Sequence, residues 1–323
     1  MTKHVLLVHP EFPITYWGFQ DSVSVVNKKA TLPPLGLVTL AACLPESWAL
    51  RLVDLNIEPL ADEDLEWADA VFLSGMLIQL ESMTEVISRA HGLHRPVVVG
   101  GPTATTSPEL FNEVEVIFQG EAEGRIDELA EALESVSPRR QIILQASGGF
   151  PDISETKVPR FDLIQLDQYS SMAVQYSRGC PFNCEFCDII EIFGRVPRVK
   201  SDDLVLRELD AIYQAGFRGS VFFVDDNFIG NKRAVRQLLP RIAAWQVAHK
   251  RPFDIYTEAS INLASDPALM ADMVAAGFRS VFIGIETPSK KALENTGKGQ
   301  NLRIDLKEAV DTLTRAGIEV MGG

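Results

Sequence analysis

Cysteine is scarce in this 323-residue chain: four in all, at 43, 180, 184 and 187. So few exclude the disulfide framework of a small secreted domain. No apolar run reaches the roughly 18 residues that a membrane-spanning helix needs. Basic residues are also short, 30 Lys and Arg against 44 Asp and Glu, for a formal net charge of −14. The shortage is uneven: residues 1–140 hold 9 basic and 21 acidic residues. A chain this acidic at its start argues against a nucleic-acid partner, whose binding relies on Lys and Arg displacing counterions. No G-x-G-x-x-G follows a strand, and no P-loop occurs, so neither a nicotinamide Rossmann site nor a P-loop nucleotide site is supported. Met1-Thr2-Lys3 runs straight into the strand-like His4–Val8, too short for a signal peptide, and a cytoplasmic location is expected. What remains is ordinary globular composition, 46% hydrophobic and 23% charged. At roughly 150 residues per domain, the length suggests two domains.

The first half alternates strand and helix signals. His4–His9, Leu50–Leu55, Ala70–Ser74, Pro96–Val99 and Val116–Phe118 read as strands, with helical stretches such as Leu37–Leu44, Ser82–His91 and Arg125–Leu133 between or after them. That order predicts a doubly wound parallel α/β sheet over residues 1–135. Several strands end in small residues: Ser74-Gly75, Gly100-Gly101-Pro102 and Gly120. Ligands of open parallel sheets bind beyond the carboxyl ends of strands, so these loops are the default site.

Residues 136–171 break periodicity with Ser137, Pro138, Ser147, Gly148, Gly149, Pro151 and Pro159, and read as a linker with one hairpin. From Met172 the alternation restarts. Strands are expected at Met172–Tyr176, Ser220–Val224, Phe253–Thr257, Ser280–Ile285 and Glu319–Met321. The helices between them end near Gly216, Gly277 and Gly317, as left-handed caps do. The pattern predicts a partial (β/α) barrel over 172–323.

The strongest signal is Arg178-Gly179-Cys180-Pro181-Phe182-Asn183-Cys184-Glu185-Phe186-Cys187, a C-x3-C-x2-C loop just after the first strand of the second half. Thiolates are the usual ligands of iron–sulfur clusters. A structural zinc site needs four ligands, and the remaining cysteine, Cys43, lies in an apolar helix of the other domain. Three cysteines on a 4Fe–4S cubane leave one iron open to a small molecule. Polar groups follow the later strands: Asp225-Asp226-Asn227, then Glu258 and Ser260, then Glu286. Carboxylates there can accept hydrogen bonds from a ribose or an ammonium group.

The loop resembles that of the radical S-adenosylmethionine (AdoMet) superfamily. The resemblance implies that Cys180, Cys184 and Cys187 hold a 4Fe–4S cluster whose open iron chelates AdoMet. It implies AdoMet contacts from Phe186, Asp225, Asp226, Asn227, Glu258, Ser260 and Glu286, although the family's usual Gly-Gly-Glu is absent. The first half, through Pro33-Pro34-Leu35-Gly36, Val53-Asp54-Leu55-Asn56, Val99-Gly100-Gly101-Pro102 and Gln119-Gly120-Glu121-Ala122-Glu123, resembles the cobalamin-binding domain that precedes many such enzymes. Cobalamin contacts are then expected from Ser74, Gly75, Met76, Gly100, Gly101, Gly120 and Glu121. The cobalt-ligating Asp-x-His-x-x-Gly is not kept, because Leu7 and Phe12 flank His9 in its place, so cobalamin would bind without a His ligand.

Within the superfamily the chain is similar to the hopanoid C-2 methylase-like branch. That implies a cobalamin-dependent methyltransferase acting on an unactivated carbon through a 5′-deoxyadenosyl radical. The substrate would be small or lipid-like, and a flavodoxin or ferredoxin would donate electrons. Two alternatives stand beside it: an oxidoreductase or cyclase with the same cofactors, and a non-catalytic cobalamin-binding fragment. The fragment reading draws on the stop at Gly322-Gly323, where the resemblance leads one to expect another helix–strand unit; the barrel is expected to be incomplete at its C-terminal end.

Overall fold

The computed structural model describes residues 2–15, 20–136, 140–145, 149–154 and 156–323. The chain divides into two compact units, one of residues 1–152 and 156–170, the other of 153–155 and 171–323.

The first unit is built on a six-stranded sheet in the order β2-β1-β3-β4-β5-β6. Its strands are β1 (His4–His9), β2 (Ala49–Asp54), β3 (Ala70–Ser74), β4 (Val97–Gly100), β5 (Val116–Phe118) and β6 (Ile142–Leu144). Every pairing is parallel. Successive side chains of a strand point to opposite faces, and here both faces are covered. Leu6, Val8, Val71, Leu73, Val97 and Val99 pack on one side with Met83, Val86 and Ala90 of the helix Leu80–Gly92. Val5, Leu7, Ala70, Phe72, Val98 and Val116 pack on the other with Leu37 and Ala41 of the helix Leu35–Cys43 and Leu129 of the helix Ile126–Glu134. Continuous apolar strands such as Val5–Val8, all fully buried, are what a doubly covered sheet requires. Each such Val or Leu contributes about 1.5–3 kcal/mol by burial.

The stretch expected to link the domains does more than link. Ile142–Leu144 pairs in parallel with β5 and extends the first sheet, where a hairpin was expected. Three residues are too few to show a strand period in sequence. Ser137, Pro138, Ser147 and Gly148 lie outside the described residues. Further on, the Tyr169 hydroxyl donates to Asp54 at the end of β2, at 2.8 Å, and both residues are fully buried. The segment 156–170 is thereby held on the first unit.

The second unit has a five-stranded sheet in the order β13-β12-β11-β10-β7, again all parallel. Its strands are β7 (Ser171–Val174), β10 (Gly219–Phe223), β11 (Phe253–Glu258), β12 (Phe278–Ile283) and β13 (Glu319–Gly322). Two further short strands, β8 (Ser177–Arg178) and β9 (Arg198–Val199), pair antiparallel. The connecting helices begin where the sequence offers a capping oxygen. Ser201, Asp266 and Asp305 accept from the backbone N–H three residues on. They end at Gly216, Gly277 and Gly317, all with φ near +90°. No helix among the described residues is long and apolar enough to cross a membrane.

Candidate functional site

The cysteine loop leaves the sheet at the carboxyl end of β7 and is shaped by the β8–β9 hairpin. Gly179 has φ +96°, and a Cβ there would stand 2.8 Å from the Gly194 carbonyl oxygen. No other residue fits that approach, and Cys180 N–H then donates to the same carbonyl at 3.2 Å. Beneath the hairpin, Lys200 and Glu208 form an ion pair with both side chains almost wholly buried. Burial pushes the Glu208 carboxyl pKa up, against the pull of Lys200.

Asp225, expected to face a ligand, turns inward. It is fully buried and accepts from Tyr176 N–H, Ser177 N–H and the Ser177 hydroxyl. Its carboxylate therefore ties the end of β10 to the turn that starts the cysteine loop. Asp226 accepts from Gly179 N–H at 3.2 Å, one residue before Cys180. Asn227 carries its amide Nδ2 to 4.0 Å from Cys180 Sγ and accepts from Ser260 through Oδ1. Thus segments beyond two strands are knitted to β8 and the loop it opens: Asp225–Asn227 beyond β10 bind Ser177, Gly179 and Cys180, and Ser260 beyond β11 binds Asn227.

Their charges are crowded. Burial raises the carboxyl pKa of Asp225 to about 7, of Asp226 to about 6 and of Glu258 to about 7. Asp226 and Asp225 raise Glu258 further by like-charge repulsion. A positive charge nearby would lower these values by opposing the like-charge repulsion.

Glu286 follows β12 with φ +62°, a left-handed backbone costly for a side chain of this kind. It pairs with Lys298, which is 7% exposed and stands 5.4 Å from the centre of the Phe186 ring. Phe186 itself is 57% exposed.

None of the four cysteines is in a disulfide. Among the described residues, no three His, Cys, Asp or Glu converge on a point where one metal ion could sit. Zinc gathers its ligands around one centre, whereas in a cubane each thiolate holds a different iron. The donor set suits that group: burial raises the thiol pKa of Cys180 and Cys187, while N–H groups of Phe182 and Asn227 on Cys180, and of Ile189 on Cys187, oppose it by favouring the thiolate. Thiolates surrounded by N–H donors are what an iron–sulfur cluster takes.

In the first unit, the predicted residues share one end of the sheet. Ser74 ends β3 and Gly75 and Met76 follow it, Gly100 ends β4 and Gly101 follows it, and Gly120 and Glu121 lie beyond β5. Gly101 has φ +83°, and a Cβ there would lie 2.2 Å from Ser74 Oγ. Thr103 Oγ1 donates to the Gly75 carbonyl at 3.0 Å, and Gly120 N–H donates to Thr105 Oγ1 at 2.9 Å, so the three loops brace one another. Buried Gln79 holds the Met76 N–H and the Pro10 carbonyl. Met76, Leu77 and Ile78 are each more than half exposed, an apolar tip beside side-chain-free backbone. A flat, largely apolar macrocycle fits such a surface. His9 ends β1, and burial lowers its pKa, although Asp54 pulls it up. A separate cavity of about 400 Å³ lies beside β2, lined by Glu11, Asn56, Glu58, Ser82, Glu85 and Arg89 among others, and includes none of the predicted residues.

Sequence reasoning missed Thr103, Thr105, Lys200, Glu208, Lys298 and Gln300. The run Thr296-Gly297-Lys298-Gly299-Gln300, a cation between glycines, was the one available signal for the last two.

Residues 174–323 match the Radical SAM superfamily and residues 22–130 match the B12 binding domain. The first match implies a 4Fe–4S cluster and AdoMet, the second cobalamin. An uncharacterized methyltransferase of Synechocystis is 45% identical over 98% of this chain and 59% of its own length. The hopanoid C-2 methylase of Rhodopseudomonas palustris is 37% identical over 100% of this chain and 62% of its own. The chain thus spans about three-fifths of the length of these curated relatives. Among solved structures, the radical AdoMet methyltransferase TsrM of Kitasatospora setae, with tryptophan and an AdoMet analogue bound, aligns with a TM-score of 0.76 at 17% identity. That alignment covers 99% of this chain and 67% of TsrM.

Proposed function

We propose that this chain, which belongs to the radical SAM superfamily and carries a B12-binding domain ahead of its radical SAM domain, is that of a cobalamin-dependent methyltransferase acting on an unactivated carbon. The observation that carries the reading is the Cys180–Cys187 loop, tied through Asp225, Asp226 and Asn227 to neighbouring strand ends. When bound, the cluster supplies the electron that cleaves AdoMet to methionine and a 5′-deoxyadenosyl radical, and cobalamin carries the methyl group.

In this reading Cys180, Cys184 and Cys187 are the cluster ligands. Asp226 and Glu258 attract the AdoMet ammonium, and Phe186 lies against the adenine. Asn227, Ser260 and Glu286 supply polar contacts around the same molecule. Asp225 is a positioning residue, since its oxygens are spent on Tyr176 and Ser177. Ser74, Gly75, Met76, Gly100, Gly101, Gly120 and Glu121 receive cobalamin, with no His on the cobalt. The substrate is small or lipid-like, in keeping with the hopanoid methylase relative. A flavodoxin or ferredoxin as electron donor and a cytoplasmic location complete the reading, because free thiolate ligands need a reducing compartment.

Anaerobic incubation with reductant, methyl-labelled AdoMet, cobalamin and a lipid-like acceptor tests it. 5′-Deoxyadenosine and a methylene gain on the product are expected. A reconstituted enzyme that gives an oxidised or cyclised product, with no labelled methyl transferred, would refute methyl transfer.

A further inference from the structure

Residues 296–300 dock on the cysteine loop, contact for contact. The Thr296 carbonyl accepts from Glu185 N–H at 2.9 Å. Gly297, at φ +68°, lies so close to the Asn183 carbonyl that a Cβ would stand 2.8 Å from it. Lys298 sits over the Phe186 ring. Gln300 directs Nε2 to Cys184 Sγ at 3.6 Å, hydrogen-bond distance for the large sulfur atom. Its Oε1 is buried with no hydrogen-bond partner among the described residues. A buried unpaired acceptor is costly.

We propose that Gln300 is a positioning residue that sets the reduction potential of the cluster through an N–H···S hydrogen bond to Cys184. The inference rests on Cys184 being a cluster ligand. Reduction adds a negative charge, part of which resides on the thiolate sulfurs. An N–H donor stabilises that more negative state more than the oxidised one, so it raises the potential. Among the described residues, Asn227 gives Cys180 a similar amide from the loop after β10, whereas the donor to Cys184 comes from a segment more than a hundred residues further along the chain.

The test is an EPR-monitored redox titration of the anaerobically reconstituted full chain, with iron counted in each sample. Gln300→Leu removes the donor at similar volume; Gln300→Glu places an acceptor, and a charge, at the same point. Both are expected to keep the cluster and to lower the ratio of reduced to oxidised cluster about tenfold at the wild-type midpoint. That corresponds to about 59 mV for a one-electron couple. An unchanged midpoint with full iron in either variant overturns the proposal. Loss of iron from both variants also overturns it, by making Gln300 part of the loop's fold. A wild-type chain that takes up no cluster refutes instead the assignment of the three cysteines.

Discussion

The carboxyl cluster at the ends of β10 and β11 makes the stability of the second unit depend on pH in an unusual direction. Glu258 is held near pKa 7 against an ordinary value of 4.5, chiefly by burial and then by Asp226 and Asp225. The folded chain therefore binds its proton more tightly than the unfolded chain does. Below about pH 4 both states are protonated and nothing is lost. Between there and about pH 7 the unfolded chain releases protons that the folded chain retains, so stability falls as pH rises. Above pH 7 the penalty is complete. A shift of this size corresponds to about 3 kcal/mol. Glu258 is partly exposed and shares its shift with two neighbours, which brings the expected contribution to about 1–2 kcal/mol. Glu258→Gln removes the charge and keeps the shape. The substitution is expected to stabilise the ligand-free second unit by that amount at pH 8 and by little at pH 4.5. Hydrogen exchange of the β10 and β11 amides reads the opening energy of this unit. Comparing variant and wild type at one pH cancels the intrinsic exchange rates. A difference that is the same at both pH values, or a destabilised variant at pH 8, would refute the reasoning.

Glu208→Ala leaves Lys200 charged and buried under the hairpin, and is expected to cost about 3–5 kcal/mol in the unfolding free energy read by urea titration. The double change Glu208→Leu with Lys200→Met is expected to recover most of that loss. Gly101→Ala forces a Cβ into Ser74 Oγ and strains a left-handed backbone, and is expected to cost about 1–3 kcal/mol and to weaken cobalamin binding in a spectral titration. Adding Ser74→Ala is expected to restore part of the binding, the part due to the clash.

Much of the fold was legible because its strands are buried on both faces. Val5–Val8 and Val97–Val99 have no other way to satisfy their side chains. The helix ends at Gly216, Gly277 and Gly317 were legible because glycine takes the left-handed cap conformation freely. The cysteine loop was legible because thiolates at that spacing have few uses. What escaped was decided by distant contacts. Asp225 looked like a ligand-facing acid, and only the position of Tyr176 and Ser177, about fifty residues earlier, shows that it points inward. Ile142–Leu144 became a strand because β5 offered an open edge. Gln300 entered the site because Gly297 and Thr296 fit the loop, a match that no local pattern encodes.

The central claim is that Cys180, Cys184 and Cys187 hold a cluster with one iron left for AdoMet. The most direct measurement is EPR of the reduced, reconstituted chain with and without AdoMet. The account predicts about four irons per chain, a signal whose shape changes when AdoMet is added, and loss of both in Cys187→Ala. A single bound metal ion, or a cluster signal that AdoMet leaves unchanged, would contradict it.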